Sequence, residues 1–334
     1  MTESVSHLSS EIQTLIATLT KCSGGMRIQP VSLKTTGDPV FMKRRLIPLG
    51  IREAVHKQLM SMVENGILEP VSESDWATPI VTPIKSSGRP RICGDFRISV
   101  NKQLLQRTTT TEEPEDLMNS LKGASWFSQI DLKDAFLQIP ISSESKNCTT
   151  INTPWGLFRH NFLPQGLSVS PGIFQSVIDE IIKECPGVKA YQDDVICFAS
   201  DKETHDKNLL QLLRTLRKYN VMINASKSTF SSQNLSFLGY KISVNGYSPD
   251  PKRMEPLMNA PTPSSAAELK SLLGCLQYYS RFIPNFASIA YPLFELQNSS
   301  TFHWTTEHDE VRDYYTTGIR RLIRFSSSAI HMKA

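Results

Sequence analysis

The chain has 334 residues, 40% of them hydrophobic and 20% charged, with a formal net charge of +4 and six cysteines. That length suggests two or three subdomains, and the composition is that of a globular rather than a disordered chain. No run is apolar enough to span a membrane and no CxxC pair signals a zinc module or a disulfide framework, so a reduced, intracellular protein fits best; the mild basicity permits nucleic-acid binding without showing it.

Residues 1–40 are polar and weakly patterned, and the first thirteen lack the basic-then-apolar run of a secretory signal. Ile12, Leu15, Ile16 and Leu19 have helical spacing, but the segment as a whole reads as linker-like. From residue 51 the pattern sharpens: Ile51, Val55, Leu59 and Met62 mark one helix face, and Asn65-Gly66 stops it. Pro79 and Pro83 confine 78–85 to an edge or extended strand, 86–88 turns, and 91–96 returns. Lys85 and Arg91 flank this hairpin; they are suited to gripping a triphosphate, though ordinary surface charge is the simpler reading.

Residues 102–116 read as a loop. A strand at 125–131 follows, then a tight turn at 133–135 and an alternating segment at 136–141. Two strands at 149–153 and 157–162 flank Pro154-Trp155-Gly156, and 163–167 is a loop. Ser170 reads as an N-cap and Pro171 as a first helical residue; the helix buries Ile173, Phe174, Val177, Ile178 and Ile181 and ends at Pro186-Gly187. Strands at 188–191 and 195–198 then enclose an acidic turn, Gln192-Asp193-Asp194. A helix runs from about 202 to 219, and 221–223 reads as a further strand.

An acidic turn alone is usually just solvated. Asp131 changes that reading, because it ends another strand and adds a third carboxylate. Three carboxylates on neighbouring strand ends form a hard-oxygen site suited to magnesium, and two such ions about 4 Å apart can hold the attacking and leaving oxygens of a phosphoryl transfer. The order strand, helix, two hairpin strands, helix, strand is the split βαββαβ of the ferredoxin-like architecture. Beyond it, 237–240 leads into a hairpin over Asn245-Gly246, and Leu269, Leu272, Leu273, Leu276 and Tyr279 mark a helical subdomain with more helix at 286–296. Residues 299–334 end without clear structure.

With these pieces placed, the sequence resembles a reverse transcriptase, most closely those of gypsy-type LTR retrotransposons, from about Pro39 to Trp304. The resemblance is carried in order by GILEPVSESDWATPIVTPIK, GRPRICGDFR, IDLKDAFLQIPI, FLPQGLSVSPGIFQ, YQDDV, SFLGY and LKSLLGCLQYYSRFIPNFASIAYPLFEL. It implies an α+β right-hand polymerase with fingers at 41–124 and 143–166, a ferredoxin-like palm at 125–142 and 167–244, and a helical thumb at 247–298. It implies an RNA-directed, and DNA-directed, DNA polymerase, a nucleotidyltransferase that works on a primed RNA or DNA template with dNTPs. Two Mg2+ ions, replaceable by Mn2+, would be held by Asp131, Asp193, Asp194 and the backbone carbonyl of Leu132. Asp134 and Ala135 match backbone amides that meet the triphosphate, and Lys85 and Arg91 match fingertip contacts to it. Gln165 matches the glutamine beside the nucleotide sugar and base. Phe136 matches the aromatic residue where a ribose 2′-hydroxyl would sit. Phe237, Leu238, Gly239 and Tyr240 match the primer grip. Lys227 matches a lysine suggested to protonate the leaving pyrophosphate, with a plain surface lysine as the competing reading. The implied location is cytoplasmic, in virus-like particles, with nuclear access and without membrane contact.

Several positions depart from that pattern. Gln192 stands where relatives carry an apolar residue, and 104–114 lacks the usual aromatic-proline pattern. Gly94 replaces a branched apolar residue in a strand, at a cost of about 1 kcal/mol. After Trp304 no RNase H carboxylate cluster follows, so 299–334 reads as a connection stub and the chain as a polymerase fragment of a polyprotein or a truncated genomic copy. Two alternatives stay open: a catalytically inactive nucleic-acid-binding remnant, and a structural subunit that dimerises with itself or with a longer polymerase chain.

Overall fold

The structure is a computed structural model that describes residues 8–84, 88–105, 113–280, 283 and 285–325. The chain forms two compact units, Met1–Leu117 with Phe127–Ser231, and Met118–Trp126 with Ser232–Ala334. In chain order the elements up to the end of the first unit are α1 (Ser10–Leu19), α2 (Leu49–Glu64), β1 (Leu68–Val71), β2 (Thr78–Val81), β3 (Cys93–Gly94), α3 (Pro114–Ser120), β4 (Trp126–Asp131), α4 (Ser143–Lys146), β5 (Ile151–Thr153), β6 (Gly156–His160), α5 (Ser170–Ile182), β7 (Val188–Tyr191), β8 (Asp194–Ala199), α6 (Lys202–Lys218) and β9 (Thr229–Ser232).

Two sheets organise this unit. The first runs β1-β6-β5-β2-β3, and the second runs β7-β8-β4-β9. The second, with α5 and α6 in its crossovers, is the expected βαββαβ arrangement with the ends of β4 and β8 on adjacent strands. Its last strand is β9, not 221–223, which contributes a single bridge between Ile223 and Leu132. Val221 and Ile223 are fully buried, and Met222 bonds the amide of Gln138 through its N–H and carbonyl, while its carbonyl also accepts from Lys133 N–H at 3.1 Å. That same glutamine occupies a 3-10 turn, Ala135–Gln138, where the sequence alternates as if for a strand.

α6 is tied to the sheet by a buried polar chain. Ser231 N–H donates to Ser128 Oγ (2.9 Å), Ser128 Oγ lies 3.0 Å from His205 Nε2, and His205 Nδ1 lies 3.1 Å from Asp206 Oδ1. Asp206 also accepts from Ser231 (3.0 Å) and Lys202 (2.5 Å). Ser, His and Asp linked in this order have the makeup of a nucleophilic triad, but Ser128 and His205 are wholly buried and every member is engaged, so the linkage is structural.

The linker-like reading of 1–40 gives way in the structure. Ser9 caps α1, and Ile12, Leu15, Ile16 and Leu19 are buried in the main core. The chain then stays fastened: Met26 N–H donates to Gln138 O (2.6 Å), Arg27 N–H to Tyr219 O (2.8 Å), and Val31 bridges Ile141. Ser170 does not cap α5; it is the first helical residue and donates to Pro164 O (2.9 Å). Asp201 does cap α6, accepting from Thr204 N–H at 2.8 Å.

In the second unit, β10 (Asn234–Phe237), β11 (Tyr240–Ser243) and β12 (Gly246–Pro249) form an antiparallel meander. Helices α7 (Pro251–Met258), α8 (Ala266–Tyr278), α9 (Phe286–Asn298) and α10 (Thr306–Phe325) follow. Met254, Leu269, Leu273, Leu276, Ala290, Leu293 and Tyr315 share its core. Thus 299–325 is not without structure: α10 supplies Tyr315, whose hydroxyl donates to Phe286 O at 3.0 Å; 326–334 lie outside the described residues.

Gly94 turns out to be required. A Cβ there would meet the ring of the fully buried Phe96 at 2.6 Å. Gly94→Ala should lower the unfolding free energy by about 1–3 kcal/mol, the cost of overpacking a rigid core. Denaturant melts of the two proteins check this; an equal or higher midpoint would show that the ring gives way.

Candidate active site at the acidic hairpin

Gln129 and Asp131 sit two residues apart on β4 and so share one face of the sheet, while Ser128 faces α6 behind it. The acidic turn lies on the neighbouring hairpin, where Tyr191 pairs with Asp194 and the turn holds Gln192 and Asp193. The two strand ends are joined by backbone, with Leu132 N–H donating to Asp193 O at 3.1 Å. Asp131 is held on both sides: its N–H donates to Ser228 Oγ (3.1 Å), and its carbonyl accepts from Asn224 N–H (2.8 Å). The fold therefore brings Asp131, Asp193 and Asp194 together.

Their electrostatics follow from crowding. Burial pushes the Asp193 carboxyl above the ordinary carboxylate range, and the charges of Asp194 and Asp131 push it further. Asp131 is also raised by burial; Lys227 and the Asn224 side-chain amide oppose this, and Asp194 reinforces it. Asp193 Oδ1 is buried with no hydrogen-bond partner among the described residues. An unpartnered buried carboxylate oxygen amid two more carboxylates is a donor set that fits a hard divalent cation. Among the described residues no three His, Cys, Asp or Glu side chains already converge as a finished cage. Two of the acids face local amides instead: Gln129 Nε2 donates to Asp194 Oδ1 (3.0 Å), and Asn224 bonds Asp131.

Residues 89–242 match the family model described as reverse transcriptase (RNA-dependent DNA polymerase). The chain carries a reverse transcriptase domain. It is 34% identical over 268 residues to the Retrovirus-related Pol polyprotein from transposon opus of Drosophila melanogaster, covering 78% of this chain and 26% of that one. It is 35% identical over 247 residues to an uncharacterized Caenorhabditis elegans protein, covering 73% of this chain and 19% of that one. The chain thus spans about a quarter or less of these relatives. A foamy viral protease-reverse transcriptase, solved in complex with double-stranded DNA, shares the fold with a TM-score of 0.86 at 22% identity, over 94% of this chain and 58% of that one. Reverse transcriptases are nucleotidyltransferases and generally use divalent metal ions.

The other expected residues of the reverse transcriptase domain fall around this centre or away from it. Asp134 is exposed with a left-handed backbone (φ 47°) and precedes the 3-10 turn that begins at the buried Ala135. Phe136 is half-buried and meets Phe174 of α5 edge to face, with centroids 5.4 Å apart. Gln165 is half-buried in the loop before α5; Asn101 pins that loop by donating to Gly166 O (2.8 Å) and accepting from Ser168 N–H (3.0 Å). Arg91 is exposed, and its N–H donates to Pro83 O. Lys85 lies outside the described residues. Lys227 is exposed and acts on Asp131 through its charge.

The segment expected to form the primer grip belongs to the second unit. Phe237 pairs with Tyr240, and Leu238 (φ 49°) and Gly239 (φ 83°) form the two-residue turn. Phe237 and Tyr240 are buried, with Tyr240 stacked on Tyr278, whose hydroxyl donates to Leu238 O at 2.8 Å. Leu238 is half-buried, whereas Gly239 is buried with its neighbours. Sequence reading missed Gln129, Asn224 and Ser228. Gln129 had one usable signal, its place two residues before Asp131 on the same strand face.

A carboxyl whose folded pKa is raised binds its proton more readily in the folded state, so its ionisation destabilises the fold as pH rises above the unfolded value near 3.9. In metal-free buffer, Asp193→Asn is therefore expected to raise the thermal midpoint at pH 7 by about 2 °C and to leave it unchanged near pH 3. Calorimetry at the two pH values checks both arms.

Proposed function

We propose that this chain extends the 3′-hydroxyl of a primer with dNTPs on an RNA or DNA template, as the polymerase portion of a gypsy-type retrotransposon polyprotein. The observation that carries this reading is the meeting of Asp131, Asp193 and Asp194, with the buried Asp193 Oδ1 left unpartnered. Asp131, Asp193, Asp194 and the Leu132 carbonyl would hold two Mg2+ ions, or Mn2+. When bound, these ions supply charge that lowers the pKa of the primer hydroxyl and neutralises the triphosphate.

The reaction forms a bond from the primer 3′-oxygen to the α-phosphorus and breaks the bond from that phosphorus to the bridging oxygen. Pyrophosphate leaves, and the hydroxyl proton passes to solvent. The chain's own residues position and stabilise. The Asp134 and Ala135 amides, with Lys85 and Arg91, would meet the triphosphate oxygens, where negative charge spreads in the transition state. Gln165 would sit beside the nucleotide sugar and base. Phe136, held by Phe174, would fill the space a 2′-hydroxyl needs. Lys227, whose charge reaches Asp131, is the candidate proton donor to pyrophosphate. The turn at Phe237, Leu238, Gly239 and Tyr240 would hold the primer strand, and the grip on the duplex would be mainly to phosphates and so weaken with salt.

A second reading, a nucleic-acid-binding chain without synthesis, draws on the engagement of Asp131 and Asp194 by side-chain amides. Primer extension on an RNA template with magnesium separates the two. The polymerase reading expects incorporation that Asp194→Asn lowers by on the order of a thousandfold; folded protein that binds primer–template in a salt-dependent way and adds nothing would establish the second reading instead. Phe136→Ala is expected to relax discrimination against ribonucleotides by about ten- to a hundredfold, read as the ratio of kcat/KM for dNTP and rNTP; an unchanged ratio would remove the residue from that role.

A further inference from the structure

Gln175 lies within α5 among Ile173, Phe174, Ile178 and Ile181, and only 5% of it is exposed. An amide in such surroundings is costly unless its donors and acceptor are used. They are used towards the acidic hairpin. Nε2 donates to Ala190 O (3.0 Å) and to Asp179 Oδ1 (2.9 Å), and Oε1 accepts from Gln192 N–H (3.0 Å). Ala190 and Gln192 bracket Tyr191, so one side chain clamps the backbone leading into Asp193. Gln192 has φ 52°, a left-handed conformation that a residue with a Cβ avoids when free. Asp179, one helical turn on and exposed, offers only acceptor oxygens, so it sets which way the Gln175 amide faces.

We propose that Gln175, oriented by Asp179, is a positioning residue that holds the 190–192 backbone and thereby sets where Asp193 and Asp194 stand. The proposal rests on the polymerase reading for its functional consequence. Gln175 touches neither substrate nor ion; it acts through the turn. Among the described residues the turn is also held where Asp193 O accepts from Leu132 N–H and where Gln129 Nε2 donates to Asp194 Oδ1. Releasing the Gln175 clamp leaves the hairpin free to pivot about those contacts while the apolar face of α5 keeps the helix in place.

The test uses the full chain and two variants. Gln175→Met keeps much of the volume and removes the amide; Asp179→Ala changes an exposed residue and removes the acceptor that orients the amide, so it reports even where the buried variant fails to fold. Hydrogen exchange in metal-free buffer should show the Gln192 amide exchanging faster in both. In single-nucleotide incorporation, kcat should fall on the order of tenfold for Gln175→Met and about threefold for Asp179→Ala, as misplacement of reacting groups costs rate. KM for primer–template should stay within about twofold, because ground-state binding is untouched. Unchanged Gln192 exchange, or faster exchange with unchanged kcat, overturns the proposal. A wild-type chain that makes no DNA defeats the polymerase reading, and the exchange measurement then still decides whether Gln175 holds the turn.

Discussion

Three carboxylates confined to one corner of a sheet repel one another and resist burial, and most of the surrounding structure is arranged to keep them there. Left to themselves, the ends of β4 and β8 would splay or expose the acids to water. Covalent connection does not prevent this, because Asp131 lies on β4 and Asp193 in the turn between β7 and β8. What prevents it is a set of backbone bonds that are insensitive to charge: Leu132 N–H to Asp193 O, Asp131 N–H to Ser228 Oγ, and Asn224 N–H to Asp131 O. Behind them, α6 is fixed by the Ser128–His205–Asp206 chain and α1 is sealed onto it by apolar contact and by Arg214 with Glu11. The left-handed backbones of Asp134 and Gln192 flank the acids on either side, strain that persists where the surroundings over-determine it.

Much of this frame was legible in the amino-acid sequence because its signals are local. Helix faces such as Val55, Leu59 and Met62, the acidic turn between two apolar strands, and the Asn245-Gly246 hairpin depend on neighbours a few residues away. The placement of the acids rests on equally local signals, since Asp131 ends a patterned strand and Asp193 and Asp194 stand where the next hairpin turns. The polar residues that hold them give no such signal. Gln138, Gln175 and Asn224 look like ordinary surface amides in sequence, and their partners lie up to 84 residues away for Gln138. Periodicity carries no information about such pairings.

The misread segments share a second cause. The stretch 8–40 looks polar because its apolar side chains are few, yet Leu8, Ile12, Leu15, Ile16, Leu19, Met26 and Leu33 are buried in the main core shared with α6 and the 136–141 segment. The 221–223 run has the composition of a strand, but its pairing stops at one bridge to Leu132, and the Met222 N–H goes to the side chain of Gln138. At Gly94 the sequence shows only a missing side chain; the structure shows the Phe96 ring in its place. In each case a tertiary partner overrides a local preference.

The choice of amides around the acids has a physical logic of its own. Gln129 meets Asp194, Asn224 meets Asp131, and Gln175 meets the turn between β7 and β8. A lysine or arginine at any of these positions would also satisfy an acceptor, but it would form an ion pair and cancel negative charge at the centre. A neutral amide supplies the hydrogen bond and leaves that charge in place. The positive charge that does reach Asp131 comes from Lys227, which stays exposed and is therefore weakened by solvent. The amides thus leave the negative charge of the half-buried acids in place, charge that would favour a divalent cation bound there.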